Sequence, residues 1–397
     1  MKFLRRISTR RLVALFAATV GVAVGAGALA MAATGGGSKP PSEPLPVAVH
    51  DALAAPGAQG VSGRLQFTDH LVNNSDIRGG SPLLSGASGR FWASSDGHLR
   101  LELQADAAGD GGSGDTQVLS DGHRVSVFDS QSNTVYEATL PKGRGADGPE
   151  PSHDGPPSLD QVKKAIDRLM NHALVSGAEP SDVAGQPTYT VRVEPKQNGG
   201  LVGGAELAWD AVHGTPLRAA VYAKGDSAPV LQLKATDITY GPVDSSVFDV
   251  SPPSDATVVD LSPSAAGSGA DTGSAPVTGV GPVQSQVGFP LVAPDTLAGM
   301  QRGEVRLIQG EKGKGALVTY GQGLSGMAVL ERRAQPTSSN GDQGQVTLPT
   351  VSIDGIQGQE LATPLGTMVR FERGGVEYTV LGSVPSATAE AAARDLH

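Results

Sequence analysis

The sequence contains no cysteine, and this absence limits both its chemistry and its means of membrane attachment. Disulfide bonds, iron–sulfur ligation, thiol catalysis and an acylated cysteine anchor of the bacterial lipoprotein kind are all excluded. Aromatic residues make up only 4% of the chain, whereas there are 54 glycines and 28 prolines. This composition indicates many turns between short strands rather than a helical protein. The fold must therefore be stabilised by its apolar core.

Positive charge is also scarce, and the formal net charge is −10. Beyond the N-terminus the sequence shows no patch of lysine and arginine, so it is poorly suited to binding by counterion release from a phosphate backbone. We therefore expect no nucleic-acid partner.

The N-terminus has the order of charge and hydropathy of a secretory signal. Five basic residues between Lys2 and Arg11 precede an uncharged stretch, Leu12–Ala33, and Ala30 and Ala32 form an A-x-A-like processing site. The stretch is long enough to cross a bilayer, which takes about 20 residues. Cleavage and retention as an anchor both stay open. Either way, the charge order places the rest of the chain outside the cell, anchored at the outer face of the cytoplasmic membrane or secreted.

Composition divides the chain into two folded units with connecting segments. Residues 1–33 are the signal peptide or signal anchor. Residues 34–46 are predicted to form a Gly/Pro/Ser tether, and residues 261–284 a flexible linker. Residues 47–260 are predicted to form the first, β-rich domain. Residues 285–397 are predicted to form a smaller C-terminal domain.

Apolar and polar residues alternate in most predicted strands of the first domain, which is typical of an antiparallel sheet with one apolar face. For example, Leu99 and Leu101 alternate with Arg100, and turns are predicted at Asp121-Gly122 and Ser132-Asn133. In a closed sandwich such side chains form a core, whereas in an open half-barrel covered by helices they line a ligand cavity. The candidate cavity residues are Leu65, Phe67, Trp92, Leu99, Leu101, Leu103, Val125, Val127, Val191, Trp209, Val221, Leu231 and Leu233.

One amphipathic helix is predicted inside this β-rich region. Ser158 and Gln161 fit a capping box, apolar residues at helical spacing follow, and Gly177 supplies a stop. The helix either packs on the sheet as an ordinary structural element or forms a lid over a ligand cavity. The candidate lid residues are Val162, Ile166, Leu169 and Met170.

Motifs for catalysis or cofactor binding are absent or stand in the wrong context. The segment Gly321–Gly326 satisfies G-x-G-x-x-G, but a dinucleotide site needs a long helix after the glycines. Here Met327–Glu331 reads as a strand, so the glycines are predicted to join a hairpin. The eight histidines stand far apart, and no nucleophile–base arrangement is visible. We expect no metal, no cofactor and no enzymatic activity, with a hydrolytic enzyme as the remaining alternative.

Several short segments follow one another in an order that matches one family. In the first domain these are Val61–Phe67, Gly89–Trp92, His98–Glu102, Ser120–Gly122, Val127–Asp129, Thr134–Tyr136, Val183–Tyr189, Gly214–Arg218 and Tyr240–Phe248. Together they resemble the LolA-like superfamily, particularly its RseB/MucB-type sigma-E regulatory proteins and their actinobacterial relatives. In the tail, Val318–Leu324 and Val376–Gly382 look like the small domain that follows the half-barrel in RseB-like proteins.

The resemblance implies a β-rich α+β fold: a curved antiparallel half-barrel sheet covered by lid helices, followed by a small α+β C-terminal domain. It implies lipid or lipoprotein acyl chains as partners, held in an apolar half-barrel cavity by a carrier, chaperone or sensor. The alternative is an RseB-like negative regulator of an anti-sigma/sigma factor envelope-stress pathway. In that case the C-terminal domain would contact a membrane anti-sigma factor or a transporter.

Overall fold

The structure is a computed structural model that describes most of the chain beyond the N-terminal segment. The described residues are 39–56, 58–71, 86–106, 114–139, 156–196, 200–260, 277–310, 313–334 and 348–397. The predicted signal or anchor therefore lies outside them, as do residues 261–276 of the predicted linker. No helix within the described ranges is long and apolar enough to cross a membrane.

The first sheet has 13 strands. They are β1 (Gly60–Asp69), β2 (Ala87–Ser94), β3 (Leu99–Ala105), β4 (Asp115–Ser120), β5 (Arg124–Asp129), β6 (Thr134–Thr139), β7 (Ala173–Val175), β8 (Glu179–Val183), β9 (Gln186–Pro195), β10 (Val202–Asp210), β11 (Pro216–Ala223), β12 (Pro229–Tyr240) and β13 (Thr257–Asp260). Their order is β13-β6-β5-β4-β3-β2-β1-β12-β11-β10-β9-β7, with β8 paired to β9. The pairs are antiparallel except β13 with β6, which is parallel.

Turn residues fix the hairpins of this sheet where the sequence predicts them. Gly122, between β4 and β5, has a φ of 82°, and Asn133, between β5 and β6, has a φ of 44°. Both values lie in the left-handed region, which glycine and asparagine adopt more readily than other residues. The predicted turns at Asp121-Gly122 and Ser132-Asn133 are therefore confirmed.

Two helices accompany the first sheet: α1 (Leu45–Ala54) and α2 (Leu159–His172). The α1 helix begins inside the segment predicted to be a tether, and Tyr189 Oη donates a hydrogen bond to the carbonyl oxygen of Pro41 at 2.7 Å. That segment thus lies against the sheet. The capping box of α2 is present, because the Ser158 side chain accepts from the Gln161 N–H and Gln161 Oε1 accepts from the Ser158 N–H. A short 3₁₀ turn, Ser245–Val247, follows β12.

The second sheet has eight antiparallel strands in the order β14-β15-β16-β17-β21-β20-β19-β18. They are β14 (Thr296–Leu297), β15 (Met300–Gly310), β16 (Gly313–Tyr320), β17 (Met327–Arg333), β18 (Thr350–Ile353), β19 (Ile356–Thr363), β20 (Gly366–Arg373) and β21 (Val376–Gly382). Helices α3 (Val280–Gln284) and α4 (Ser386–Asp395) belong to this unit, with a 3₁₀ turn at Gly323–Ser325. The glycine-rich segment joins β16 to β17 as a hairpin, as predicted.

The predicted linker extends too far toward the second unit. Thr278 forms a β-bridge with Arg306, and Val283 is fully buried in the core of the second sheet. Because this stretch is rich in glycine and proline, its composition gave no indication that Val283 belongs to the core. Apart from this boundary, the two sheets and their helices confirm the predicted β-rich α+β fold class.

Candidate functional site

One face of the first sheet brings together ten of the thirteen predicted cavity residues. Seven are buried: Leu65, Phe67, Leu101, Leu103, Val125, Val127 and Leu231. Three are half-buried and pack against them: Leu99, Val221 and Leu233. We call these ten residues, together with the buried Ala87, Val118 and Tyr136, the apolar cluster. It spans eight strands, β1 to β6, β11 and β12.

The pairing register explains how the apolar cluster forms. Leu65 lies opposite Gly89, and Gly89 in turn lies opposite Leu103. A Cβ atom at Gly89 would lie 1.9 Å from the carbonyl oxygen of Glu102, so no other residue fits at this point. Because Gly89 has no side chain, the backbone of Glu102 and the side chain of Leu103 can approach β2 closely.

Val191 and Trp209 lie in a neighbouring cluster under α1. Trp209 packs there with Tyr189 and with Ala48 of α1, and Val191 is half-buried beside them. The Tyr189 and Trp209 rings are tilted, with centroids 6.2 Å apart. This part of the apolar face is thus covered by a helix and is separate from the apolar cluster.

Trp92 lies on the opposite face of the sheet, which corrects the expectation that it lines the cavity. Successive side chains of a strand point to opposite faces, and it is Phe91 that packs against the apolar cluster. The Trp92 ring instead has the guanidinium carbons of Arg90 and Arg100 each 5.5 Å from its centroid. Residue type alone led to the prediction that Trp92 lines the cavity. The pairing of Leu101 with Phe91 shows that Phe91 lies on the face of the apolar cluster.

The helix predicted as a lid is present as α2, but it does not rest on the apolar cluster. Val162 is buried and Ile166 half-buried, whereas Leu169 and Met170 are 44% and 43% exposed. The helix packs chiefly against α1 and β7. Within the described part of the chain, none of its residues is among those packed on the apolar cluster. Burial is thus confined to the first part of the apolar stripe, and the last turn of α2 is in solvent.

A groove of about 730 Å³ crosses strands β1 to β5 and is lined mainly by polar side chains of the other face. These include Arg64, Gln66, Ser88, Arg90, Glu102, Gln104 and Gln117. Arg90 and Glu102 form an ion pair at 3.2 Å. This groove is therefore not the apolar hollow that the sequence predicts. Nor do the described residues include a group of three or more His, Asp or Glu side chains placed to hold a metal ion.

The second sheet contacts the edge of the apolar cluster. Leu365, in the turn between β19 and β20, packs against the cluster. Nearby, the backbone N–H groups of Leu201 and Val202 donate hydrogen bonds to Ser383 Oγ at 3.0 and 3.1 Å. Sequence patterns gave no sign of these contacts, because they join residues more than 100 positions apart.

An acid also lies on the apolar face. Asp69 ends β1 and is only 4% exposed. Its Oδ1 accepts a hydrogen bond from the Leu71 N–H at 2.7 Å. Burial raises the pKa of Asp69 to about 6, against the lowering effect of this hydrogen bond. The period-two spacing of Leu65, Phe67 and Asp69 is the sequence signal that indicates this position.

Comparison with known proteins finds similarity in structure only. No protein-family model and no curated protein sequence matches the chain. Among solved structures, MucB in complex with MucA(peri) is 16% identical, with a TM-score of 0.40 over 87% of this chain and 95% of that one. The Pseudomonas aeruginosa MucA/MucB complex is 16% identical, with a TM-score of 0.42 over the same shares of the two chains.

A domain described as an outer membrane lipoprotein-sorting protein domain, from Vibrio parahaemolyticus, is 12% identical. It covers 52% of this chain and 96% of its own, with a TM-score of 0.23. At such identities and scores the similarity concerns the fold alone, so the function has to be argued from the residues.

Proposed function

We propose that this chain is an extracytoplasmic lipid- or lipoprotein-binding protein that holds acyl chains against the apolar cluster of its first sheet. The observation that carries the proposal is the cluster itself, in which one sheet face gathers apolar side chains from eight strands. No catalytic step is part of the proposal. Such a ligand requires apolar area and shape rather than reactive groups.

The expected binding energy is sufficient for a specific complex. Burying one methylene group contributes about 0.8 kcal/mol, so a chain of about 16 carbons offers on the order of 12 kcal/mol before the costs of association. An acyl chain would enter where the neighbouring Val221 and Leu233, on β11 and β12, are only half-buried. At that edge the ligand displaces water, and cluster side chains contact the ligand instead of one another.

Native mass spectrometry of the full chain, purified without detergent, tests the proposal directly. We expect adducts with the masses of lipids, and saturable uptake of a fluorescent fatty acid. A spectrum that contains only the mass of the protein, together with no uptake of the fluorophore, would show that the apolar cluster is an ordinary core.

A charge on the apolar face should abolish uptake. We expect this of Leu101→Asp, because an unpaired carboxylate among apolar side chains costs several kcal/mol and repels an acyl chain. Leu119→Asp is the matched control, since Leu119 pairs with Arg100 on the other face of the neighbouring strand. Circular dichroism must show that both variants fold. Normal uptake by folded Leu101→Asp protein would mean that this side chain does not line the site.

The contact between the two sheets favours a second candidate function, an RseB-like negative regulator. Because Leu365 packs on the apolar cluster, an acyl chain that enters there can alter the position of the second sheet. In this candidate the second sheet binds a membrane anti-sigma factor or a transporter. MucB is a protein that has been crystallised with MucA. Co-purification from membranes that yields no partner, with an unaltered envelope-stress response after deletion, would count against it.

A further inference from the structure

A buried carboxylate oxygen that has no hydrogen-bond partner among the described residues lies on the apolar face. Asp69 follows Phe67 at period two and pairs with Leu231, so its side chain points to the face that carries the apolar cluster. Oδ1 accepts from the Leu71 N–H, whereas no described residue donates a hydrogen bond to Oδ2. Among its apolar neighbours, Asp69 thus has one oxygen, Oδ1, that accepts a hydrogen bond, and one, Oδ2, that accepts none from a described residue.

The turn at the end of β1 does not account for this burial. Asp121 makes the same kind of turn at the end of β4, where its Oδ1 accepts from the His123 N–H at 2.8 Å, and Asp121 is exposed. The adjacent His70 does not satisfy Oδ2, because its Nδ1 lies 3.2 Å from the carbonyl oxygen of Pro229. A buried acceptor that is left unpaired is costly, so such groups commonly mark functional sites.

We propose that Asp69 Oδ2 accepts a hydrogen bond from the polar head of the bound acyl ligand. The preferred ligand class is then one with a hydroxyl or amide N–H next to the chain, such as an acylglycerol or an N-acyl compound, which binds more tightly than a free fatty acid. A hydroxyl or amide satisfies the buried acceptor, whereas a second carboxylate would be repelled by it. This inference rests on the proposed function and adds which polar head groups the site prefers.

Three ligands that share one chain separate the possibilities: monopalmitoylglycerol, methyl palmitate and palmitate. Their affinities for the full chain are measured by displacement of a fluorescent lipid at pH 8, where Asp69, with a pKa of about 6, is ionised. We expect monopalmitoylglycerol to bind at least about 10-fold more tightly than either of the other two.

In Asp69→Asn, the repulsion is removed, so we expect palmitate to bind about 10-fold more tightly and monopalmitoylglycerol more weakly. Asp121→Asn, the same substitution in the exposed turn, should change neither affinity.

Equal affinities of the native chain for all three ligands would overturn the assignment of Asp69 and leave the proposed function intact. Failure to bind any of them would overturn both. The comparison within the native chain requires no variant, so it stands even where Asp69→Asn does not fold. A folded Asp69→Asn protein with unchanged ligand preference would also overturn the assignment.

Discussion

The two sheets of this chain bury their apolar residues in different ways. In the second sheet they form one cluster, several of whose members have no exposed surface, among them Leu297, Val318, Val329, Ile353, Val380 and Leu396. Helix α4 packs across β20 and β21 of this sheet. In the first sheet they are divided among three clusters, and most members keep a few per cent of their surface exposed. A divided, incompletely covered face is easier to open than a single closed core.

This difference separates stability from binding within one chain. A close-packed core tolerates little change in volume, because each lost methylene leaves a cavity that the surroundings fill only in part. The apolar cluster has half-buried residues at its edge, where side chains can move without opening the whole core. We therefore expect the second sheet to supply rigidity and the first sheet to accept the ligand.

Matched leucine truncations in the two cores should give the largest effect. We expect Leu297→Ala, in the fully closed core, to lower the free energy of unfolding by about 3 to 4 kcal/mol, and Leu233→Ala, at a half-buried position of the apolar cluster, by about 2 kcal/mol. Only Leu233→Ala should also change acyl uptake. Urea unfolding and fluorophore titration measure the two quantities. Equal losses of stability, with uptake unchanged in both variants, would remove the distinction between the two sheets.

A buried acid in the second sheet should make its stability depend on pH. Glu331 is fully buried, its Oε2 accepts from the Val292 N–H at 2.9 Å, and burial raises its pKa from 4.5 to about 7. Between these two values the folded state keeps a proton that the unfolded state has released. The free energy of unfolding therefore falls as the pH rises through this window, by up to about 3 kcal/mol.

Glu331→Gln should remove this dependence, because an amide does not titrate. Unfolding by urea at pH 4.5, 6 and 8 gives the difference between the native chain and the variant. Glu304→Gln, on the half-exposed side of β15, is the control and should leave the pH profile unchanged. A Glu331→Gln profile parallel to that of the native chain would show that another group titrates.

The smallest effect is expected at the contact between the sheets. Leu365→Ser removes a half-buried side chain, so it should cost about 1 kcal/mol and leave each sheet folded. Hydrogen exchange should become faster in residues 363–366, and acyl uptake should increase as the edge of the apolar cluster opens. Leu324→Ser, at a 60% exposed position of the second sheet, is the matched control. Slow exchange and unchanged uptake in Leu365→Ser would mean that the two sheets act independently.

Local features of this fold could be predicted from the sequence because their causes are local. The alternation around Leu101 identifies a strand, and Gly122 identifies the turn of a hairpin. Ser158 and Gln161 identify the start of α2 because both groups of the capping box lie within one helical turn. The apolar character of ten of the cavity residues follows from the same alternation.

Features that depend on register or on distant contacts could not be predicted in this way. The choice between Phe91 and Trp92 depends on which residues of β2 and β3 face each other, and a shift by one residue exchanges the two faces. The position of α2 beside α1 depends on which element the apolar stripe of α2 packs against. The burial of Asp69 depends on β12, whose Leu231 lies more than 150 residues further along the chain.

The strands, the hairpins, the start of α2 and the absence of thiol chemistry follow from residue type and short-range spacing. The end of α2 was predicted at Gly177, but the helix stops at His172 because Ala173–Val175 pair with β9 as strand β7. Tertiary packing sets which face carries Trp92, what α2 covers, where an acid is buried and how the second sheet meets the apolar cluster. Many long-range arrangements are compatible with the same local sequence pattern. Packing selects among them, because residues far apart in the chain bury apolar surface against one another.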